Sequence, residues 1–125
     1  MLPKRPRLRT FDYVGRYRYF LTFCTHNRVK VFTDANVVDL VWTQILQTAA
    51  TGGFSITAHV FMPDHGHFLF NGESGNADLK ACAALCKQRS AYAYSKTKGR
   101  RLWQPSFYDR TLRDDETNLF VIRYI

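Results

Sequence analysis

The sequence predicts an α+β domain in which helices pack on an antiparallel sheet, and three stretches of the chain carry that prediction. Residues 17–25 are rich in aromatic and β-favouring side chains that partly alternate, as in a strand. Between residues 37 and 46 the apolar side chains recur mostly at spacings of three and four, which is typical of one face of a helix. Residues 54–61 and 65–70 are two further apolar runs joined by a Pro63-Asp64 turn, so they predict a hairpin.

The positions of two helices, one between the first two strands and one after the hairpin, are predicted from their flanking residues. Thr33 or Asp34 can cap the first helix, and Gly52-Gly53 ends it. A second amphipathic helix is predicted over residues 76–94, after a cluster of turn residues. Its small apolar side chains share one face, which leaves the basic ones for the other: Lys80, Lys87 and Arg89.

The last part of the chain predicts a basic loop over 96–101, an extended piece over 103–112 and a third helix. That helix starts at the acids of 114–116, because acidic side chains favour the positive end of a helix dipole. No terminating glycine follows it, so we expect the chain to be truncated at Ile125.

In order, the elements are strand, helix, strand, strand, helix, strand and helix. This is the order of a split β-α-β, ferredoxin-like domain, predicted over residues 11–125. The 125 residues suffice for one domain with a core. Residues 1–10 are rich in Pro and Arg, and we expect them to form a basic extended arm.

Charge indicates a polyanionic partner. Eighteen Lys and Arg stand against ten Asp and Glu, which gives a formal net charge of +8 and a pI of about 9.7. The cations fall mainly in two stretches, residues 1–30 and 80–110, where each stretch contains a single acid. The alternative is that these stretches are solvated, solubilising faces.

Composition also excludes several classes of protein. The three cysteines are odd in number and lack tight Cys-x2-Cys pairs, so neither a disulfide framework nor a structural zinc site is indicated. The basic N-terminus has no apolar segment after it, and no stretch is long enough to span a bilayer. We expect a cytoplasmic protein with no membrane partner.

His65 and His67 are the residues that most directly suggest chemistry. Side chains alternate between faces of a strand, so two histidines one residue apart point the same way, with backbones roughly 6 to 7 Å apart. That separation suits two ligands converging on one metal ion. Flanking residues carry weaker signals: we interpret His59 as a structural histidine and His26 as an exposed loop residue. Asp64 could orient a histidine or bind the ion, but its place after Pro63 favours a turn former.

Three separated motifs resemble one family in content and order. They are Phe-Met-Pro-Asp-His-Gly-His-Phe-Leu at 61–69, Arg-Leu-Trp-Gln-Pro-Ser-Phe-Tyr-Asp at 101–109 and Leu-Arg-Asp-Asp-Glu at 112–116. Together they resemble the single-tyrosine transposases of the HUH superfamily, and most of all their REP-associated branch. The resemblance runs from about Phe11 to the last residue.

This resemblance implies DNA transposition by cleavage and joining of single-stranded, hairpin-containing DNA. It implies a covalent 5′-phosphotyrosine intermediate, Mg²⁺ or Mn²⁺ as cofactor, and Tyr124 at the position of the nucleophile. Relatives that place the tyrosine helix on a partner subunit imply a homodimer as one arrangement. A phenol with a pKa near 10 needs a nearby cation or a base to react at neutral pH, and a metal ion at His65 and His67 would serve.

Two departures from the family pattern bear on activity. The residue between the histidines is usually large and apolar, whereas here it is Gly66, which weakens a strand and can loosen the ligand geometry unless DNA approaches the backbone there. The family's third metal ligand lies one helical turn beyond the tyrosine, but the sequence ends one residue after Tyr124. We therefore expect weak metal binding and an enzyme that is inactive if that ligand is lost.

Two other functions stay open on these observations. One is a truncated relative that binds single-stranded or hairpin DNA without cutting it, and the other is an unrelated metal-dependent phosphodiesterase that uses activated water. Tyr108 is the rival nucleophile, although its aromatic neighbours favour packing or base stacking. The predicted DNA-binding residues are basic or aromatic: Arg5, Arg7, Arg9, Lys87, Arg89, Arg100, Arg101, Trp103, Tyr108 and Arg110.

Overall fold

The computed structural model describes residues 12–112, and the side chains of residues 12–109. Within these residues lie four strands: β1 (Arg18–Cys24), β2 (Phe54–Met62), β3 (His65–Gly72) and β4 (Tyr108–Leu112). Helix α1 (Ala35–Thr51) connects β1 to β2, and helix α2 (Leu79–Lys98) connects β3 to β4. The third helix predicted from residue 114, the arm of residues 1–10 and Tyr124 lie outside the described residues.

All strand pairs are antiparallel, and the sheet order is β2-β3-β1-β4. Each helix therefore connects two strands that are separated in the sheet by one other strand. This confirms the predicted ferredoxin-like, split β-α-β architecture. Both helices pack on one face of the sheet, where the buried side chains include those of Tyr19, Leu21, Phe23, Phe68 and Phe70.

The helix ends follow from their capping residues. Asp34 caps α1 by accepting a hydrogen bond of 2.9 Å from the backbone N–H of Asn36, and Gly52 ends the helix, as predicted. Asp78 caps α2 in the same way, so this helix begins three residues later than predicted. It also continues past Tyr94 to Lys98, where Gly99 ends it with a left-handed φ of 67°.

The prediction of a basic loop at 96–101 was therefore wrong for its first three residues. Lys96 and Lys98 occupy the last turn of α2, where cations interact favourably with the helix dipole. The extended piece predicted over 103–112 is a strand from Tyr108 onward. Before it, Trp103 makes an isolated bridge to Thr25, next to the end of β1.

Candidate metal and DNA-binding site

His65 and His67 lie on β3 with their side chains on the same face, as their spacing predicted. Their ring centroids are 4.8 Å apart and the ring planes meet at 76°. In the strand register His67 lies between Thr22 of β1 and Val60 of β2, so these three side chains share one face of the sheet. This face, opposite to α1 and α2, is called the histidine face below.

His67 is held from two sides. Its Nδ1 is 2.9 Å from Oγ1 of Thr22, and its ring stacks on Phe20 with centroids 5.3 Å apart. Only 5% of the residue is exposed. Burial, with the neighbouring His65 adding to it, lowers the pKa of His67 from 6.5 to about 4, so the imidazole is neutral at pH 7.

His65 is oriented by the residue that precedes it. Its Nδ1 donates to Oδ1 of Asp64 over 2.7 Å, and Oδ2 of the same carboxylate accepts from Nε of Arg28 at 3.1 Å. Burial by itself would raise the pKa of Asp64, but the hydrogen bonds from His65 and Arg28 outweigh it and lower that pKa. Asp64 thus stays a carboxylate and orients His65, a role that its turn position had not favoured.

The loop after β1 fixes Asp64 in place. Oγ1 of Thr25 donates to the carbonyl of Asp64 at 3.1 Å and to that of Val29 at 2.8 Å. Asn27 and Arg28 both adopt left-handed conformations, with φ of 55° and 53°, which turns the loop back toward the Pro63-Asp64 turn. His26 belongs to the same loop, where it is half-buried rather than exposed, and its backbone N–H donates to Leu102.

Thr22 and Arg28 are neighbours of the candidate site that the sequence did not reveal. Each lies about 40 residues from its partner along the chain, at separations of 45 and 36 residues. Their link to the histidines depends on the pairing of β1 with β3. A single sequence carries no local signal for that register, because Thr and Arg are ordinary residues at strand ends and in loops.

Two imidazoles with supported Nδ1 atoms fit a divalent metal ion. When Nδ1 donates a hydrogen bond, Nε2 carries the lone pair that ligates, and such partners orient the ring and raise its basicity. Nitrogen donors favour Mn²⁺ over Mg²⁺, which prefers oxygen ligands. Among residues 12–112 no group of three or more His, Cys, Asp or Glu is arranged to hold a metal ion. Within this described part of the chain, His65 and His67 are therefore a pair of candidate ligands.

The predicted DNA-binding residues fall into four groups. Arg89, Arg100 and Arg101 are exposed. Tyr108 is half-buried and lies opposite Thr22 in the register of β4, which puts its side chain on the histidine face. Arg110 lies opposite Phe20 in the same register, and its side chain, like Arg5, Arg7 and Arg9, is outside the described residues.

Two of the predicted DNA contacts are buried instead. Trp103 is 4% exposed and donates from its indole Nε1 to Oγ of Ser90 over 2.9 Å, so it is part of the core rather than a stacking surface. Lys87 is 8% exposed, and its Nζ donates to the carbonyls of Gln104 and Ser106 at 2.6 and 2.7 Å. The ammonium group holds the segment before β4 against α2, because those carbonyls need a donor when buried.

Comparisons with known proteins bear on this arrangement. The model of the IS200-like transposase family matches residues 13–125. This chain belongs to the IS200-like transposases. No curated protein matches the sequence. Family and fold together support DNA transposition as the function of the chain, and the family is generally metal-dependent.

Solved structures agree on the fold of this transposase. A REP-associated tyrosine transposase bound to a REP hairpin superposes with a TM-score of 0.70 at 19% identity, over 97% of this chain and 68% of that one. A predicted transposase from Deinococcus radiodurans R1 gives a TM-score of 0.69 at 23% identity, over 94% of this chain and 95% of that one. At such identities the likeness concerns the fold.

His59 of the transposase has a structural contact rather than a place beside the pair. Its ring stacks on Trp42 of α1, with centroids 3.7 Å apart and planes at 12°. Burial lowers its pKa, in keeping with a neutral ring packed on an indole.

None of the helices within residues 12–112 is long and apolar enough to cross a membrane.

Proposed function

We propose that this transposase cuts and rejoins single-stranded, hairpin-containing DNA through a 5′-phosphotyrosine intermediate at Tyr124. The observation that carries the proposal is the convergent pair His65 and His67, each supported at Nδ1 by a second residue. A REP-associated relative of the same fold is bound to a REP hairpin, which supports a hairpin substrate here.

In the cleavage step the phenolic oxygen of Tyr124 attacks the scissile phosphorus. A bond from that oxygen to phosphorus forms, the bond from phosphorus to O3′ breaks, and O3′ leaves as a hydroxyl carrying the proton that the phenol gave up. Rejoining is the reverse attack by a 3′-hydroxyl, which restores the phenol. The energy of the broken bond is kept in the phosphotyrosine, so no nucleotide cofactor is needed.

His65 and His67 are the residues that would hold Mg²⁺ or Mn²⁺. A bound ion would polarise the phosphoryl oxygens and favour the phenolate. The protein's own contribution is preorganisation. His67 needs no deprotonation above about pH 4, and the Asp64 carboxylate fixes the ring of His65 before DNA arrives.

Incubation with internally labelled hairpin DNA and Mn²⁺, followed by a denaturing gel, tests the proposal. Wild-type protein should give a covalent protein–DNA adduct, Tyr124→Phe should give none, and Tyr108→Phe is the matched control that should keep it. DNA that is retained but uncut would instead indicate a binding module. DNA that is cut without adduct would indicate hydrolysis by water.

A homodimer that shares its sites would place Tyr124 of one subunit beside the histidines of the other. Mixing Tyr124→Phe protein with His67→Ala protein tests this arrangement, because neither variant alone has a complete site. Recovery of the adduct in the mixture is expected for a shared site. No recovery, with both variants folded, would show that the tyrosine acts within its own subunit.

A further inference from the structure

A groove runs between α2 and the segment that leads from it to β4, on a part of the surface that the proposed chemistry does not use. Its volume is about 560 Å³, within the range of roughly 300–1,000 Å³ common for ligand sites. Side chains that line this groove, called the α2 groove below, include Gln88, Tyr92, Arg100, Arg101 and Gln104.

Tyr92 is the most exposed large apolar residue in the described part of the chain, at 66%. Its ring also lines a neighbouring groove of about 610 Å³, together with Arg89 and Lys96. Nζ of Lys96 is 5.4 Å from the centroid of the Tyr92 ring, within cation–π range. The ring is thus a projecting aromatic surface with cations on both sides.

Charge around the α2 groove has a single sign. From residue 79 to residue 108 the sequence contains no Asp or Glu, while Arg89, Lys96, Arg100 and Arg101 are all exposed. An uncharged ligand, or a protein surface that is not acidic, would leave these cations without opposite charges. A phosphate backbone matches them, and its bases can stack on an exposed aromatic ring.

The segment that forms one wall of the groove is hydrogen-bonded to β1, the strand that pairs with the histidine strand β3. The backbone N–H of Gln104 donates to the carbonyl of Cys24 at 3.0 Å, and Cys24 is the register partner of His65. Lys87 holds the same wall from behind through the carbonyls of Gln104 and Ser106. One wall of the groove therefore lies next to the end of the sheet at which His65 is placed.

We propose that the α2 groove binds an unpaired segment of the DNA substrate, with one base stacked on Tyr92 and the adjoining phosphates contacted by Arg100 and Arg101. This deepens the proposed function, on which it rests for the identity of the ligand. The groove would hold nucleotides outside the scissile linkage. It would therefore set where the DNA strand enters the protein, without covering the histidine face.

Fluorescence anisotropy with a labelled unpaired oligonucleotide tests the site, using the full chain in a Tyr124→Phe background so that cutting plays no part. Tyr92→Ala should weaken binding about 5- to 150-fold, the range expected when a single base can no longer stack. Tyr92→Phe should stay within two-fold of the parent. Tyr17→Ala, at another exposed tyrosine (45%), is the matched control and should also stay within two-fold.

Salt dependence and crosslinking give readouts that a structural role would not move. Arg100→Gln with Arg101→Gln should reduce the slope of log K against log salt by about 0.7 for each phosphate that the protein no longer neutralises. Ultraviolet crosslinking of a 5-bromouracil oligonucleotide should label the peptide that contains Tyr92. Unchanged affinity of Tyr92→Ala, equal weakening with fully duplex DNA, or crosslinks confined to the histidine face would each overturn the proposal.

These outcomes are separate from those of the cleavage assay. Absence of the adduct with retained Tyr92-dependent binding would remove the proposed chemistry and keep the groove. An intact adduct with Tyr92-independent binding would remove the groove and keep the chemistry.

Discussion

The ring of Phe68 fills the space that a side chain at Gly66 would need. A β-carbon on Gly66 would lie 2.8 Å from Cζ of Phe68, which is closer than β-carbons approach other atoms in proteins. Both residues point to the helix side of the sheet, away from the His65 and His67 pair. The glycine is therefore explained by packing under α1 and α2, and close approach of DNA is not needed to account for it.

Gly66→Ala should lower the free energy of unfolding by about 1–3 kcal/mol, because Phe68 is fully buried and its ring has to shift. Urea unfolding followed by circular dichroism measures this. Phe68→Leu should cost less stability in the Gly66→Ala background than in the parent, since leucine removes the ring that the added β-carbon meets. Gly75→Ala is the control, because nothing lies within 4 Å of its added carbon. Equal stability of Gly66→Ala and the parent would contradict this account.

Asp64→Asn should weaken Mn²⁺ binding by about 10- to 100-fold, as removal of an orienting partner does at other metal sites. The amide keeps the size of the side chain but removes the negative charge of the carboxylate, which accepts hydrogen bonds from His65 and Arg28. Titration calorimetry or manganese electron paramagnetic resonance reports the affinity. Asp39→Asn, on the exposed side of α1, is the matched control. If both variants bind Mn²⁺ like the wild type, Asp64 has no positioning role.

Thr22→Val should affect both stability and metal binding. Valine has nearly the shape of threonine but leaves Nδ1 of the buried His67 without this hydrogen bond, which costs about 1–3 kcal/mol. It also frees the ring to rotate, so Mn²⁺ affinity should fall. Thr22→Ser keeps the hydroxyl and should recover most of the metal affinity. A serine variant as weak as the valine variant would point to packing instead.

The depressed pKa of His67 predicts a specific dependence of stability on pH. Between about pH 4 and pH 6.5 the unfolded chain binds a proton at this residue that the folded chain does not, so stability falls as pH falls through that window. The full shift corresponds to on the order of 3 kcal/mol, reached near pH 4. Above pH 6.5 the residue contributes no pH dependence.

Two measurements check this expectation in metal-free protein. The ring resonances of His67 in NMR spectra should stay constant from pH 7 down to about pH 5. The difference in unfolding free energy between wild type and His67→Gln should change between about pH 4 and pH 6.5. Carboxylates titrate in both proteins, so their contribution cancels in this difference. A ring that titrates near 6.5 would mean that it is not buried in solution.

Local patterns in the sequence were enough for the elements and for the orientation of the histidine pair. The apolar spacing between residues 37 and 46, the Gly52-Gly53 stop and the Pro63-Asp64 turn each act within a few residues, so α1 and the hairpin lie where they were predicted. The alternation of side chains along β3 likewise placed His65 and His67 on one face. The order of the elements then predicted the ferredoxin-like architecture, because few topologies connect them without crossings.

Tertiary structure decided which side chains hydrogen-bond to the candidate site and which predicted DNA contacts are buried. The partners of the pair, Thr22 and Arg28, depend on strand register and on a loop packed against a distant turn, which no local pattern encodes. Burial turned Lys87 and Trp103 from predicted DNA contacts into core residues, because an amphipathic side chain looks the same in sequence whether its polar end meets solvent or a buried partner. Gly66 is a similar case: the ring of Phe68 occupies the space that a side chain there would need, and only the packed core shows this.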